Sequence, residues 1–162
     1  MALNSIVVSD STILIFLLNI QRFELLFKFS DTIVIAPSVY NEVSVQKSAK
    51  QTLDAYISTS KVSILKVSNV KKVKELLIRL DLEESESIVL AEEQNIPLII
   101  DEKKGKNIAI SFGLNTIGLI GILLVYKKKS YLSSSEIITI VNELREVSFH
   151  VSDTLLALLL EA

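Results

Sequence analysis

Four acidic side chains are spaced so that they could act together. Asp10 and Asp101 each directly follow a short apolar run typical of a buried strand. Glu42 lies about one helical turn beyond another such run, and Glu84 lies near the start of a helical segment. Carboxylates that meet in one place repel one another strongly unless a cation lies between them. Because Mg²⁺ and Mn²⁺ prefer oxygen ligands, this pattern predicts a divalent-metal site.

The chemistry expected of such a site is hydrolysis by metal-activated water. A divalent ion can activate water and stabilise the charge that develops on a phosphodiester, without a nucleophilic side chain. The chain has no cysteine, which excludes disulfides, thiolate nucleophiles and Cys-type zinc sites. Its one histidine, His150, lies in an apolar-flanked segment near the C terminus and is interpreted as structural.

Strand and helix patterns alternate along the chain, with no repeat or linker. Strands are expected around Val7 and Val8 and at residues 32–36, 62–67, 97–100 and 115–117. Helices are expected at residues 11–18, 22–29, 38–43, 51–57, 70–80, 82–91 and 119–128 and in the segments that precede Gly113 and follow Ser133 and Ser152. The alternation predicts one domain, residues 1–162, with a three-layer α/β/α fold of Rossmann-like topology around a mostly parallel sheet of four to five strands.

Several helix ends have local signals. Ser38 and Ser152 are expected to cap the helices that follow them, and Gly113 is a C-cap candidate. Ser133 and Glu136 have the spacing of a capping box.

The simplest doubly wound layout brings the acids to one edge of the sheet. It places the second and third strands on one side of the first strand and the fourth and fifth on the other. Asp10 and Asp101 then overhang the same crevice, at the point where the strand order reverses. Glu42, Glu84 and Glu86 enter from helices that begin on this edge. Glu84 and Glu86 are two residues apart and point to different sides, so at most one faces the metal directly, and we favour Glu84.

The charge and hydropathy of the chain limit its partners. The net charge is only −2, with 17 basic and 19 acidic residues, so contact with a polyanion must be local. The apolar start lacks a basic region and contains Asp10, unlike a signal peptide. Other apolar runs are shorter than the roughly 20 residues of a membrane span. We expect a soluble, cytoplasmic protein without a membrane partner.

Four motifs, in this order, resemble those of the PIN-domain ribonucleases, and within them the VapC-like toxin subunits of VapBC toxin–antitoxin pairs. They are IVVSDST (6–12), PSVYNEV (37–43), EESESIVLAEE (83–93) and LIIDEKKGKNIA (98–109). The segment GLNTIGLIGILL (113–124) is similar to one particular PIN-like subgroup. The resemblance covers the chain from near Ile6 to about Leu160.

The resemblance implies a ribonuclease that depends on Mg²⁺ or Mn²⁺. Its implied catalytic acids and metal ligands are Asp10, Glu42, Glu84 and Asp101, with Thr12 as the hydroxyl residue beside the first acid. Glu102 is a neighbour that could assist or merely face solvent.

Candidate partners follow from two further segments. Lys103, Lys104 and Lys106 lie beside Asp101, where an RNA backbone would pass. The run from Leu155 to Leu160 has more apolar surface than one amphipathic face needs, which predicts a homodimer or a surface covered by an antitoxin.

The chain departs from the subgroup at three positions. Glu83 stands where the subgroup commonly has glycine, Lys106 where it often has arginine, and Leu119 where it has threonine. Lysine neutralises phosphate but lacks the bidentate fork of arginine. These departures would affect substrate binding and activity more than metal binding, because all four acids are present.

Rival functions differ in how well they fit. A dinucleotide-binding fold needs a glycine-rich first turn, and no glycine follows the first strand. A haloacid-dehalogenase-type phosphatase needs a second acid where Thr12 stands, and a receiver domain needs an acid pair where Ser9 and Asp10 stand. The remaining alternative is a PIN-like module that has lost catalysis and serves as a binding partner.

Overall fold

A computed structural model describes residues 5–162. Residues 1–4, which the predicted domain includes, lie outside this range. The described residues form one sheet of five parallel strands, β1 (Ile6–Ser9), β2 (Thr32–Ile35), β3 (Val62–Ile64), β4 (Leu98–Ile99) and β5 (Thr116–Ile117). The strand order is β3-β2-β1-β4-β5, and helices flank the sheet. The predicted fold class and the placement of β1 beside β4 are both confirmed.

The helices follow the strands in alternation. They are α1 (Ser11–Asn19), α2 (Pro37–Val43), α3 (Lys47–Ser58), α4 (Val70–Leu76), α5 (Leu82–Gln94), α6 (Lys103–Ser111), α7 (Leu119–Lys128), α8 (Ser134–Glu146) and α9 (Asp153–Glu161). The predicted bounds of α7, the capping box of Ser133 and Glu136, and the Ser152 cap of α9 are confirmed. Gly113 follows α6 with a φ of 80°, a left-handed conformation that favours glycine after a helix.

Several local predictions are wrong in detail. Helix α3 begins at Lys47, before its predicted start at Gln51. Ser38 does not cap α2: Pro37 needs no amide partner, so the helix begins there and Ala36 is its N-cap. Residues 23–28 form a 3₁₀ helix rather than an α-helix. Strand β3 ends at Ile64, which pairs with Ile35, the last residue of β2, so the strand does not continue to Val67 as predicted. Helix α4 ends at Leu76, and a turn then leads to the start of α5.

The core surrounds the middle of the sheet. Val8, Ile33 and Leu98, from three neighbouring strands, are completely buried, as expected for a parallel sheet covered on both faces. A bidentate ion pair between Arg22 and Glu143 (2.8 Å) attaches α8 to the segment before the 3₁₀ helix. Across residues 5–162, the structure contains no helix with the length and apolar character needed to cross a membrane.

Candidate active site

Asp10 lies at the carboxyl end of the central strand β1 and is the N-cap residue of α1. Its amide donates to the Ile99 carbonyl of β4 (3.0 Å), which fixes the position of the backbone. Its side chain is only 1% exposed. N-cap carboxylates usually accept from the first helical amides, yet Asp10 makes no such capping hydrogen bond, and its Oδ1 has no hydrogen-bond partner among residues 5–162. A buried carboxylate oxygen is therefore left for another ligand.

The surroundings of Asp10 disfavour its negative charge. The pKa of Asp10 is raised from 3.8 to about 7, mainly by burial, although the Ser11 amide opposes the shift. The nearby charges of Asp81, Glu42 and Glu83 contribute to this rise. A bound cation would reverse this balance, because it stabilises the ionised form.

Glu84 occupies the first turn of α5. Asp81 is the N-cap of this helix, and its Oδ1 accepts from the Glu84 amide (2.8 Å). Glu84 is 8% exposed, and its Oε2 has no hydrogen-bond partner within the described range. The pKa of Glu84 is raised to about 8, mainly by burial, and the neighbouring Asp81, Asp10 and Glu102 contribute to this rise. The influence of Asp10 shows that these two acids lie close enough for their charges to interact.

Asp101 follows β4, the neighbour of β1, so it lies at the same edge of the sheet as Asp10. Both of its carboxylate oxygens accept from the Leu119 amide at the start of α7 (3.2 and 3.3 Å). Burial raises the pKa of Asp101, while the Leu119 amide and the Lys106 charge lower it. Leu119 stands where the subgroup has threonine, but it contacts Asp101 through its backbone amide. This contact therefore does not depend on the Leu119 side chain.

Two glycines make room for the acids. A Cβ atom at Gly105 would overlap Glu84 Oε2, and a Cβ atom at Gly118 would overlap Asp101 Oδ1. The backbone at each glycine therefore approaches a carboxylate more closely than any other residue type allows.

The other predicted site residues lie at the margin. Glu42 is exposed on α2, and its charge reaches Asp10 and Glu83. Thr12 is half-buried in the first turn of α1. Glu86, on α5, points to α2, where its Oε1 accepts from the Ser38 amide (3.2 Å). Of the two glutamates left open by the sequence, Glu84 is the one whose buried carboxylate oxygen has no hydrogen-bond partner among residues 5–162.

The three predicted substrate-binding lysines follow Asp101. Lys103 and Lys104 are exposed at the start of α6, and Lys106 is half-buried. The charge of Lys106 lowers the pKa of Asp101, which places this lysine near the acidic edge. His150 is exposed in the loop between α8 and α9, so it contributes no buried group to the site.

Asp81 is the nearby acid that the sequence prediction omitted. It is exposed, it caps α5, and its charge raises the pKa of Asp10, Glu83 and Glu84. An acid three residues before a glutamate is an N-cap pattern and could have identified it from sequence.

The acids do not form a ready-made metal cage. In the part of the chain that the structure describes, no group of three Asp, Glu, His or Cys side chains is arranged to hold one ion. The residues nevertheless fit a divalent cation in two respects: Asp10 and Glu84 each have a buried oxygen with no partner within residues 5–162, and all the donors are hard carboxylates.

Fold and site together define a class: a parallel α/β domain with an acidic edge at the switch point of its sheet. The family model described as PIN domain matches residues 6–162, so the chain belongs to the PIN-domain family. PIN domains are typically nucleases that use divalent metal ions and bind RNA. The resemblance seen in the sequence is confirmed at this level.

A solved structure of a PilT N-terminus domain protein from the hyperthermophilic archaeon Sulfolobus solfataricus P2 is similar to this chain, with 19% identity and a TM-score of 0.46. The match covers 91% of this chain and 97% of that chain. No curated protein matches the sequence significantly.

Proposed function

We propose that this protein is a ribonuclease that hydrolyses RNA phosphodiester bonds with Mg²⁺ or Mn²⁺. The observation that carries the proposal is the pair of buried, unpartnered oxygens on Asp10 and Glu84, at the carboxyl edge of the sheet. A buried polar atom without a hydrogen-bond partner destabilises the folded state, so we expect a ligand to bind these oxygens. The pKa values of both carboxyls are raised, and the charge of Asp10 contributes to the rise at Glu84, so a cation is the ligand that would best stabilise their ionised forms.

Each acid has a proposed role. Asp10, Glu84 and Asp101 would hold the metal, and Glu42 would reach the same edge from α2. When bound, the ion supplies activated water and stabilises the charge that develops on the phosphodiester. The Leu119 amide holds Asp101 in place through both of its oxygens.

Basic and hydroxyl groups next to the acids would position the substrate. Lys103 and Lys104 are exposed and could contact RNA phosphates, and the charge of Lys106 acts on Asp101. Thr12 has a hydroxyl group in the first turn of α1, two residues after Asp10. Because lysine lacks the arginine fork, we expect these contacts to be electrostatic rather than bidentate.

The decisive experiment is cleavage of single-stranded RNA with Mg²⁺, Mn²⁺ or EDTA, combined with Mn²⁺ titration by calorimetry. We expect metal-dependent cleavage that falls to background in Asp10→Asn, together with weakened Mn²⁺ binding. Glu146→Gln is the matched control, because Glu146 and Asp10 lie at opposite ends of α1. Glu146 lines a groove with Asn19, the last residue of this helix, whereas Asp10 directly precedes its first residue. If the wild type neither binds Mn²⁺ nor cleaves RNA, the chain is an inactive PIN-like binding module.

The biological setting we propose is a cytoplasmic, VapC-like toxin that is covered by an antitoxin or assembled as a homodimer. The supporting observation is an apolar groove of about 400 Å³ between α7 and α9. Its lining includes Ile120, Leu124, Leu155 and Leu158, and Leu158 is 57% exposed. A partner that covers this groove would remove apolar surface from water.

A further inference from the structure

Helix α2 begins without a cap of its own. Its N-cap, Ala36, has no side-chain acceptor, and Pro37 provides no amide, so Ser38 has the first free N–H of the helix. This amide donates to Glu86 Oε1 (3.2 Å), which lies 48 residues further along the chain on α5. A side chain from a different helix therefore performs the capping that Ala36 cannot.

This contact joins the two helices that carry proposed site acids. Helix α2 carries Glu42, one turn after Ser38, and α5 carries Glu84. The start of α5 is itself fixed by Asp81, whose carboxylate accepts from the Glu84 amide. A shift of α2 relative to α5 would thus move Glu42 while leaving Glu84 in place.

Glu86 and Glu84 differ in how their carboxylate oxygens are hydrogen-bonded in the part of the chain that the structure describes. Glu86 Oε1 is held by Ser38, whereas Glu84 Oε2 is buried and, among the described residues, has no partner. Two positions apart on a helix, their side chains leave in nearly opposite directions. One direction leads to α2 and the other to Asp10, whose charge raises the pKa of Glu84.

We propose that Glu86 is a positioning residue: it caps α2 from α5 and so holds Glu42 at the acidic edge, without binding the metal. This inference rests on the proposed function. The capping by Glu86 should therefore require an acceptor oxygen in the right position but no negative charge, because a neutral amide oxygen can accept from the Ser38 amide as a carboxylate does.

The matched pair Glu86→Gln and Glu86→Ala tests this role in metal-free protein. Hydrogen exchange of the Ser38 amide, followed by NMR, should stay slow in Glu86→Gln and become faster in Glu86→Ala. Circular dichroism checks that both variants are folded. An unchanged Ser38 exchange rate in folded Glu86→Ala would overturn the proposal.

Mn²⁺ titration then separates positioning from direct binding. We expect Glu86→Gln to bind Mn²⁺ like the wild type and Glu86→Ala to lose roughly tenfold in affinity, the effect typical of an outer-shell partner. In a Glu42→Gln background, Glu86→Ala should cause no further loss. Equal losses in Glu86→Gln and Asp10→Asn would show instead that Glu86 is a ligand, and a full further loss in the Glu42→Gln background would show that its effect does not pass through Glu42.

The two proposals can fail separately. A wild type without Mn²⁺ binding would overturn the proposed function and the metal-related role of Glu86. The Ser38 exchange rates would still decide whether Glu86 caps α2.

Discussion

The carboxylate of Glu84 lies directly against the backbone of Gly105, so that a Cβ atom at position 105 would overlap Glu84 Oε2 and approach Ile100 Cδ1 to 2.9 Å. This contact joins the first turn of α5 to the first turn of α6. The space that holds a proposed metal ligand thus depends on a residue that has no side chain.

Gly105→Ala should weaken metal binding without unfolding the protein. Within a helix, alanine is more favourable than glycine by about 1 kcal/mol, so the substitution should not destabilise α6. The new methyl group would, however, displace the end of the Glu84 side chain. We expect an unchanged or slightly higher melting temperature and roughly tenfold weaker Mn²⁺ binding by calorimetry. Asn107→Ala, on the exposed surface of the same helix, is the control. Wild-type Mn²⁺ affinity in Gly105→Ala would argue against Glu84 as a ligand.

Asp10→Asn should stabilise the metal-free protein at and above neutral pH. The folded pKa of about 7 lies above the ordinary 3.8, so the folded state retains a proton that the unfolded state releases, and stability is lost as the pH rises between these values. The shift corresponds to at most roughly 4 kcal/mol. Urea unfolding in EDTA should show a gain for the variant that grows from pH 4 to 7 and then levels off. A constant difference would contradict the raised pKa.

Metal affinity should itself depend on pH. Because the pKa of Asp10 is raised to about 7 and that of Glu84 to about 8, a cation must displace protons at neutral pH. We expect Mn²⁺ affinity to rise from pH 6 to pH 8, with proton release visible as a buffer-dependent enthalpy in calorimetry. Affinity that is flat over this range would show that neither carboxyl takes part.

Asp81 should act both as a helix cap and as a charge. Asp81→Ala removes the acceptor of the Glu84 amide and should cost about 1 kcal/mol of unfolding free energy, whereas Asp81→Asn keeps an acceptor and should cost little. Asp81→Asn should also lower the pKa of Glu84, because the Asp81 carboxylate raises it. Urea unfolding and carboxyl NMR titration measure the two effects. Equal stability of the two variants would remove the capping role.

Leu158→Lys tests the groove between α7 and α9. Leu158 is 57% exposed, so the substitution should change the unfolding free energy of a monomer by no more than about 0.5 kcal/mol. If this groove is the interface of a homodimer, light scattering should show a dimeric wild type and a monomeric variant. A wild type that is monomeric at high concentration would leave only the antitoxin for this surface.

The sequence by itself was sufficient wherever the determining interaction is local. The bounds of α7, the capping box of Ser133 and Glu136, and the Ser152 cap depend on residues within one helical turn. The strand order also followed, because alternating strands and helices allow few layouts of a parallel sheet and the family motifs occur in sequence. Asp10 and Asp101 could therefore be placed at one edge.

Only the tertiary structure decided how each acid is used. Glu84 and Glu86 look alike in the sequence, yet one retains a buried free oxygen and the other caps α2. Likewise, the need of Glu84 for Gly105, and of Asp101 for the Leu119 amide, joins segments far apart in the chain. Burial, which is the largest cause of the raised pKa of Glu84 and of Asp101, arises from packing between distant elements, and local spacing carries no information about it.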